Sequence, residues 1–276
     1  MFFFSKSVIR TKRPIAKIIQ ITDMHLLSDK KAKLLGIDTY STFSAVMDEI
    51  EQLQLDYDLI VATGDISQDG SEAAYARFAR RCAALTIPCL WLPGNHDEYK
   101  PMKAVFDRYK LHPGKIILLG EEWVIVLLNT QVKNENYGYL STEAFAQLKY
   151  VRAQFPTRYI LVFLHHHPIV SGSAWLDQHC LKNSSQLLKE IADCQRIKGI
   201  GYGHIHQNSE IQHLDCLFFA TLSTCFQFKA SCSTFTLENK QPGWRMISLY
   251  SDGSIMTEVQ CLKTMLVTPT MTVTGY

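Results

Sequence analysis

None of the eight cysteines forms a C-x-x-C pair with another. They stand at positions 82, 89, 180, 194, 216, 225, 232 and 261, mostly inside apolar runs, and read as reduced and buried. That excludes a disulfide frame and a zinc knuckle. An apolar run of about 18 residues is also missing, so no membrane-spanning helix is expected. There is no long basic block and the net charge is +2, so neither nucleic acid nor an anionic membrane is expected as a partner. Phe2 to Phe4 precede Lys6, Arg10, Lys12, Arg13 and Lys17 and are too short an apolar core for a secretory signal. Residues 1–14 therefore read as a solvated arm, and a cytoplasmic location is expected. No repeat, low-complexity tract or linker interrupts the 276 residues, of which 47% are hydrophobic, and one domain spanning 1–276 is expected.

Short runs rich in Ile, Val and Leu alternate with helical patterns: AKIIQIT, YDLIVAT, IPCLWL, KIILL, WVIVLLN, RYILVFL, IKGIGY and CLFFATL. This predicts an α/β chain with a central sheet covered on both faces. Phe43, Val46, Met47, Ile50 and Leu53 keep helical spacing, as do Ala74, Tyr75, Phe78, Ala79, Cys82 and Leu85. Ser141 is the expected N-cap of a helix through Gln154, and Ser184 or Ser185 of one through about Gln195. From about 243 onward, two strands about an Asp252-Gly253 turn and a tail are expected.

In the stretch WLPGNHDEY, turn chemistry explains Pro93, Gly94 and Asn95 but not His96 and Asp97. Polar residues also close the other apolar runs: Asp23 and His25, then Gly64 and Asp65, then His165 to His167, then His204 and His206. Ligands of open α/β sheets gather beyond the carboxyl ends of strands, so five strand ends point to one site. Two residues apart on an extended chain, Asp23 with His25 and His204 with His206 would each share a face.

The collected donors are two carboxylates, an amide and three or four imidazoles, with no thiolate. This set suits Mn, Fe, Zn, Co or Ni and has too many ligands for one ion. A pair of cations needs a bridging carboxylate, for which Asp65 is the natural choice, and Gly64 lets the backbone bend beneath it. Such a pair would keep a positive charge and draw a phosphodiester.

The ordered blocks D-x-H, G-D, G-N-H-D, H-x-P and G-H-x-H resemble the calcineurin-like metallophosphoesterases. Within them the chain resembles the bacterial class III cyclic AMP phosphodiesterases of the CpdA type, a likeness that extends to WLDQHCLKN, STCFQFK and PGWR. The resemblance implies a four-layer α-β-β-α sandwich of two mixed β-sheets flanked by helices. It implies two divalent or mixed-valence metal ions (Fe, Mn or Zn). Asp23, His25, Asp65 and His206 would hold the first, and Asp65, Asn95, His166 and His204 the second. His166 is chosen because the family's ligand stands two residues before a proline, which leaves His165 and His167 to support or pack. The implied reaction is hydrolysis of 3′,5′-cyclic AMP to 5′-AMP by in-line attack of a hydroxide held between the cations. Asn95, His96 and His206 would touch substrate, His96 would protonate the leaving oxygen, and Asp97 would orient it.

Other readings keep the metal chemistry but change the substrate to a 2′,3′-cyclic nucleotide, a linear phosphodiester or a lipid-linked diphosphate. His96 speaks against the last, because the lipid A hydrolases of the superfamily carry Arg there. A non-catalytic scaffold is the remaining alternative, and a homodimer is compatible with every reading. His112, His179 and His213 are expected at the surface or in packing, although Trp175, near His179, could stack on a base. FFATLSTCFQF reads as a core strand and Lys229 as solvated.

Overall fold

A computed structural model of the chain describes residues 13–52, 57–111, 113–264 and 268–271. Most of the N-terminal arm, Leu53 and His112 lie outside the described residues. In chain order the elements are β1 (Ala16–Ile21), α1 (Thr39–Gln52), β2 (Leu59–Ala62), α2 (Glu72–Ala83), β3 (Cys89–Trp91) and α3 (Tyr99–Arg108). Then come β4 (Ile116–Leu119), β5 (Trp123–Leu127), α4 (Thr142–Gln154), β6 (Tyr159–Phe163), α5 (Ser184–Ala192) and β7 (Ile197–Tyr202). The last are β8 (Ser209–His213), β9 (Cys216–Ala220), β10 (Gln227–Phe228), β11 (Leu237–Glu238), β12 (Gly243–Leu249) and β13 (Ile255–Cys261).

Alternation along the strands sorts side chains into three apolar layers. Ile18, Leu59, Val61 and Ile247 of one sheet meet Trp123, Ile125, Leu161 and Phe163 of the other. Residues of opposite parity in the first sheet, such as Ile19, Ile21, Ile60 and Trp91, pack on Phe43, Met47, Phe78 and Phe106 of α1 to α3. Those of the second, such as Val124, Val126 and Val162, pack on Phe145, Leu148, Leu187 and Ile191 of α4 and α5. The result is the four-layer α-β-β-α sandwich of two mixed sheets that the resemblance implied; patterning alone suggested a single central sheet.

The first sheet has the order β13-β12-β1-β2-β3 and the second β4-β5-β6-β7-β9-β8. The pairs β1–β2 and β2–β3 are parallel, as are β5–β6, β6–β7 and β7–β9. The carboxyl ends of β1, β2, β3, β6 and β7 carry the residues singled out above.

Ser141 caps α4 as expected, accepting from the Ala144 N–H. The start of α5 differs. Its cap is Asn183, whose side chain makes no cap bond and instead pairs with the backbone of Leu140. The strand expected in FFATLSTCFQF ends at Ala220, and the chain turns before Gln227.

Buried polar groups join the sheets. Gln20 of β1 donates to Thr63 Oγ1 and to the Tyr202 carbonyl, both at 3.0 Å. Arg245 of β12 is fully buried. It donates to Glu210, Thr257, Asn208 and the Ala220 carbonyl, and its guanidinium lies over the Phe219 ring at 5.5 Å. Glu210 is 46% exposed, so water can solvate it once its partner is gone, and the pair is worth less than a fully buried one. Arg245→Met is expected to cost about 2 kcal/mol and to lower Tm by roughly 4–8 °C with the far-UV circular dichroism retained.

Candidate metal centre

Beyond the last paired residues of β1, β2 and β7 the chain turns sharply. Asp23, His25, Asp65, His204 and His206 all have left-handed backbone, with φ of 53°, 48°, 50°, 69° and 48°. The two D-x-H-type pairs are therefore not extended, as alternation supposed; a tight turn at each residue brings the side chains together. Non-glycine residues pay about 1–3 kcal/mol each for such a conformation. The turns are laced to one another: Asp23 N–H donates to the Gly64 carbonyl and His25 N–H to the Asp65 carbonyl.

Two motif glycines are required by close approach. A Cβ on Gly94 would lie 2.1 Å from Asp65 Oδ1, and one on Gly203 2.1 Å from Thr22 Oγ1. The same crowding lets Asp23 accept the His204 N–H from the opposite sheet, at 3.0 and 3.2 Å.

The imidazoles share one arrangement. His206 Nδ1 donates to the Phe226 carbonyl at 2.8 Å, His165 Nδ1 to the Thr63 carbonyl at 2.7 Å, and His25 Nδ1 faces Gln68 Oε1 at 2.6 Å. With the proton on Nδ1, each ring turns an Nε2 lone pair inward. His25 Nε2 and His206 Nε2 lie 3.2 Å apart. Two lone pairs at that distance repel unless a cation or proton lies between them. His204 Nε2 is buried with no hydrogen-bond partner among the described residues, again suiting a ligand.

Two donor groups result. Asp23, His25 and His206 form one, in which His206 Nε2 is 3.4 Å from Asp23 Oδ1. His165, His166 and His204 form the other, and Asn95 joins it through its Oδ1, 3.1 Å from His165 Nε2. Asp65 stands between them, its Oδ2 3.8 Å from His25 Nε2 and 3.4 Å from His165 Nε2.

Electrostatics fits this donor set. Burial would raise the Asp65 carboxyl, but His165 and His96 hold it well below the usual range; burial raises Asp23 too, and His206 outweighs it and lowers that carboxyl. Burial pushes His25 down to about 3. It also depresses His204, which neighbouring imidazoles lower further. For His165 burial acts downward too, yet Asp65 and Asp23 outweigh it and raise the ring to about 9; without a cation this ring itself carries the positive charge, and it would give up its Nε2 proton to act as a ligand. Two buried carboxylates side by side demand positive charge nearby.

In the histidine triplet, strand parity sets His165 apart from His166, the residue expected as ligand, although His166 Nε2 is likewise buried without a hydrogen-bond partner among the described residues. Leu161 and Phe163 face the other sheet, whereas Ile160, Val162 and Leu164 face the helices. The ladder continues past β6, with Leu164 N–H donating to the Gly201 carbonyl and Gly203 N–H to the His165 carbonyl. His165 thus keeps the inward parity, and His166 turns outward to Thr130 Oγ1 at 2.7 Å, beside Gly138. His166 remains within 4.8 Å of His165 and His204, but shares no donor group with Asp65. His167 stacks on His204, with centroids 5.6 Å apart and planes 19° apart, and pairs with Asp177 at 3.2 Å.

His96 is half-buried at the mouth, its N–H donating to Asp65 Oδ1 at 2.9 Å and its ring 5.0 Å from that of His25. The Asp97 carboxylate accepts the N–H groups of Gly94, Ser67 and Ile66, at 2.9, 2.9 and 3.2 Å. It fixes the loop that carries Asn95 and His96. Burial, and then Asp65, raise it to about 7. Gln68 and the Thr63 carbonyl have no motif signal and appear only in three dimensions, whereas Ser223, which donates to the Asp23 carbonyl, and Phe226, whose carbonyl accepts from His206, lie in the STCFQFK block. His213 is exposed on β8.

The model of the calcineurin-like phosphoesterases matches residues 16–208. The chain is 42% identical over 269 residues, covering 98% of both proteins, to a 3′,5′-cyclic adenosine monophosphate phosphodiesterase CpdA from Haemophilus influenzae. It is 36% identical over 263 residues to a 3′,5′-cyclic-nucleotide phosphodiesterase from Nostoc, covering 95% of this chain and 98% of the other. A dimetal phosphatase from Danio rerio shares the fold, with a TM-score of 0.67 at 13% identity over 90% of this chain and 96% of that one.

Gly94→Ala is expected to force Asp65 or its loop aside, at a cost of about 2 kcal/mol. It should leave at most one tightly bound manganese ion per chain, measured by metal analysis after gel filtration.

Proposed function

From its place in the calcineurin-like phosphoesterase family, to which this chain belongs, we propose that it is a metal-dependent phosphodiesterase that hydrolyses 3′,5′-cyclic AMP to 5′-AMP. One observation carries the chemistry: a single carboxylate, Asp65, lies between two donor groups. The substrate is carried by the curated relatives. Asp23, His25, Asp65 and His206 would hold one cation, and Asp65, Asn95, His165 and His204 the other. Two such cations, when bound, supply charge for the phosphoryl oxygens and a water acidic enough to serve as nucleophile near neutral pH. Oxygen and nitrogen donors suit iron, manganese or zinc.

The protein's own groups complete the site. Asn95 adds an oxygen ligand without adding negative charge, so the anionic ester is still attracted. His96, half-buried at the mouth, would donate a proton to the departing 3′ oxygen, a contribution of about 10² to 10⁴ in rate. Asp97 supports that role through the loop. Asn95 and His206 are further substrate contacts. A homodimer is compatible with this reading. The return of β12 and β13 to the first sheet supports reading the chain as one domain. Among the described residues no helix is long and apolar enough to cross a membrane. All eight cysteines are free, which supports a reducing, cytoplasmic compartment.

The test is incubation of chelator-stripped protein, refilled with manganese or ferrous iron, with 3′,5′-cyclic AMP. Appearance of 5′-AMP that depends on the metal is expected; cleavage of other phosphodiesters alone would redirect the substrate. His165→Ala should reduce two bound ions to one and lower kcat by more than about 100-fold, whereas His166→Ala should retain both ions and lose about 10-fold or less. The opposite pattern would restore His166 as the ligand.

A further inference from the structure

A cavity of about 270 Å³ opens over the donor groups. Asp65, Asn95 and His204 line one end; Trp175, Phe228 and Phe235 line the other. Polarity therefore changes along it from carboxylate and imidazole to aromatic ring. A cyclic nucleotide has the same gradient, from an anionic cyclic phosphate to a flat base.

The aromatic end is built as a unit. Phe228 stacks on the His206 ring, with centroids 4.3 Å apart and planes 24° apart. Trp175 meets Phe228 edge to face at 4.9 Å and Phe235 at 5.2 Å. Its loop is tied down: Asp177 accepts from the N–H and hydroxyl of Ser171, and Asp177 N–H donates to the Ser173 carbonyl. Cys232 N–H donates to Ser173 Oγ from the neighbouring segment. The indole N–H of Trp175 is nevertheless buried with no hydrogen-bond partner among the described residues. A buried indole N–H ordinarily finds an acceptor, so this donor, on a residue that lines the cavity, is suited to a ligand.

Resting on the cyclic AMP reading above, we propose that this end is the nucleobase subsite and that Trp175 is its specificity residue. The aromatic cluster receives the adenine ring, and the indole N–H donates to one of its ring nitrogens. The phosphorus chemistry needs none of these three aromatic residues, which is why a base-free substrate separates the two ends of the cavity.

The experiment compares kcat/KM for 3′,5′-cyclic AMP with that for base-free ribose 3′,5′-cyclic phosphate, with metal content measured alongside. Trp175→Ala, which removes the stacking surface, should lower the ratio of the two values ~30-fold. Trp175→Phe keeps a ring, loses only the N–H and should lower it ~5-fold. Both variants should keep two ions per chain. If Trp175→Ala does not fold, Trp175→Phe still decides. An unchanged ratio in either folded variant, or equal losses on both substrates, overturns the proposal. Wild-type protein that cleaves the base-free ester but not cyclic AMP would instead defeat the cyclic AMP reading itself, and this proposal with it.

Discussion

Asp65 is a buried carboxylate shared by two sets of inward-turned lone pairs, and much of the molecule serves to keep it there. An anion this far from water survives only beside positive charge. His165 and His96 hold the Asp65 carboxyl low, and the resulting field lifts His165 to about 9 and helps lift Asp97 to about 7. Asp97 tolerates this because three backbone N–H groups point at its oxygens. The same carboxylate that fixes the Asn95 loop is thus coupled electrostatically to the centre it supports.

Convergence has an energetic cost, and the sandwich supplies what offsets it. Five site residues sit in left-handed backbone, a burden of several kcal/mol if each costs about 1–3. Three apolar layers, and the polar ties at Gln20 and Arg245, hold the strand ends in register so that these turns cannot relax independently. Arg245 also accounts for the PGWR block, whose arginine spans the two sheets. STCFQFK is accounted for likewise: Ser223 holds the Asp23 carbonyl, Phe226 fixes the His206 tautomer and Phe228 backs its ring.

Much of this was legible in the sequence. Apolar runs ending in Asp, Asn and His located the site, because a strand end is where an α/β sheet exposes chemistry. Ser141 was readable as a cap because its bond is local. What failed was what depends on a face or on a distant partner. Counting back from Pro168 selected His166, whereas the parity of β6 favours His165; the choice between them depends on which face of β6 meets the other sheet, and the apolar sequence RYILVFL is hydrophobic on both faces. Doubly covered strands likewise cannot reveal whether they belong to one sheet or two. The extended reading of Asp23 with His25 missed the left-handed turns, since Asp and His carry no glycine to signal them. Helix α3 and strand β8 went unread; β8, the polar edge strand SEIQH, lacks an apolar face. Gln68 acts only through the fold.

The most direct test of the shared carboxylate is anomalous diffraction from crystals of the manganese-loaded protein. Two peaks about 3.5 to 4 Å apart, one on each side of the Asp65 carboxylate and the second within bonding distance of His165 Nε2, are predicted. A single peak, or a second ion bound to His166 with His165 directed elsewhere, would contradict the account.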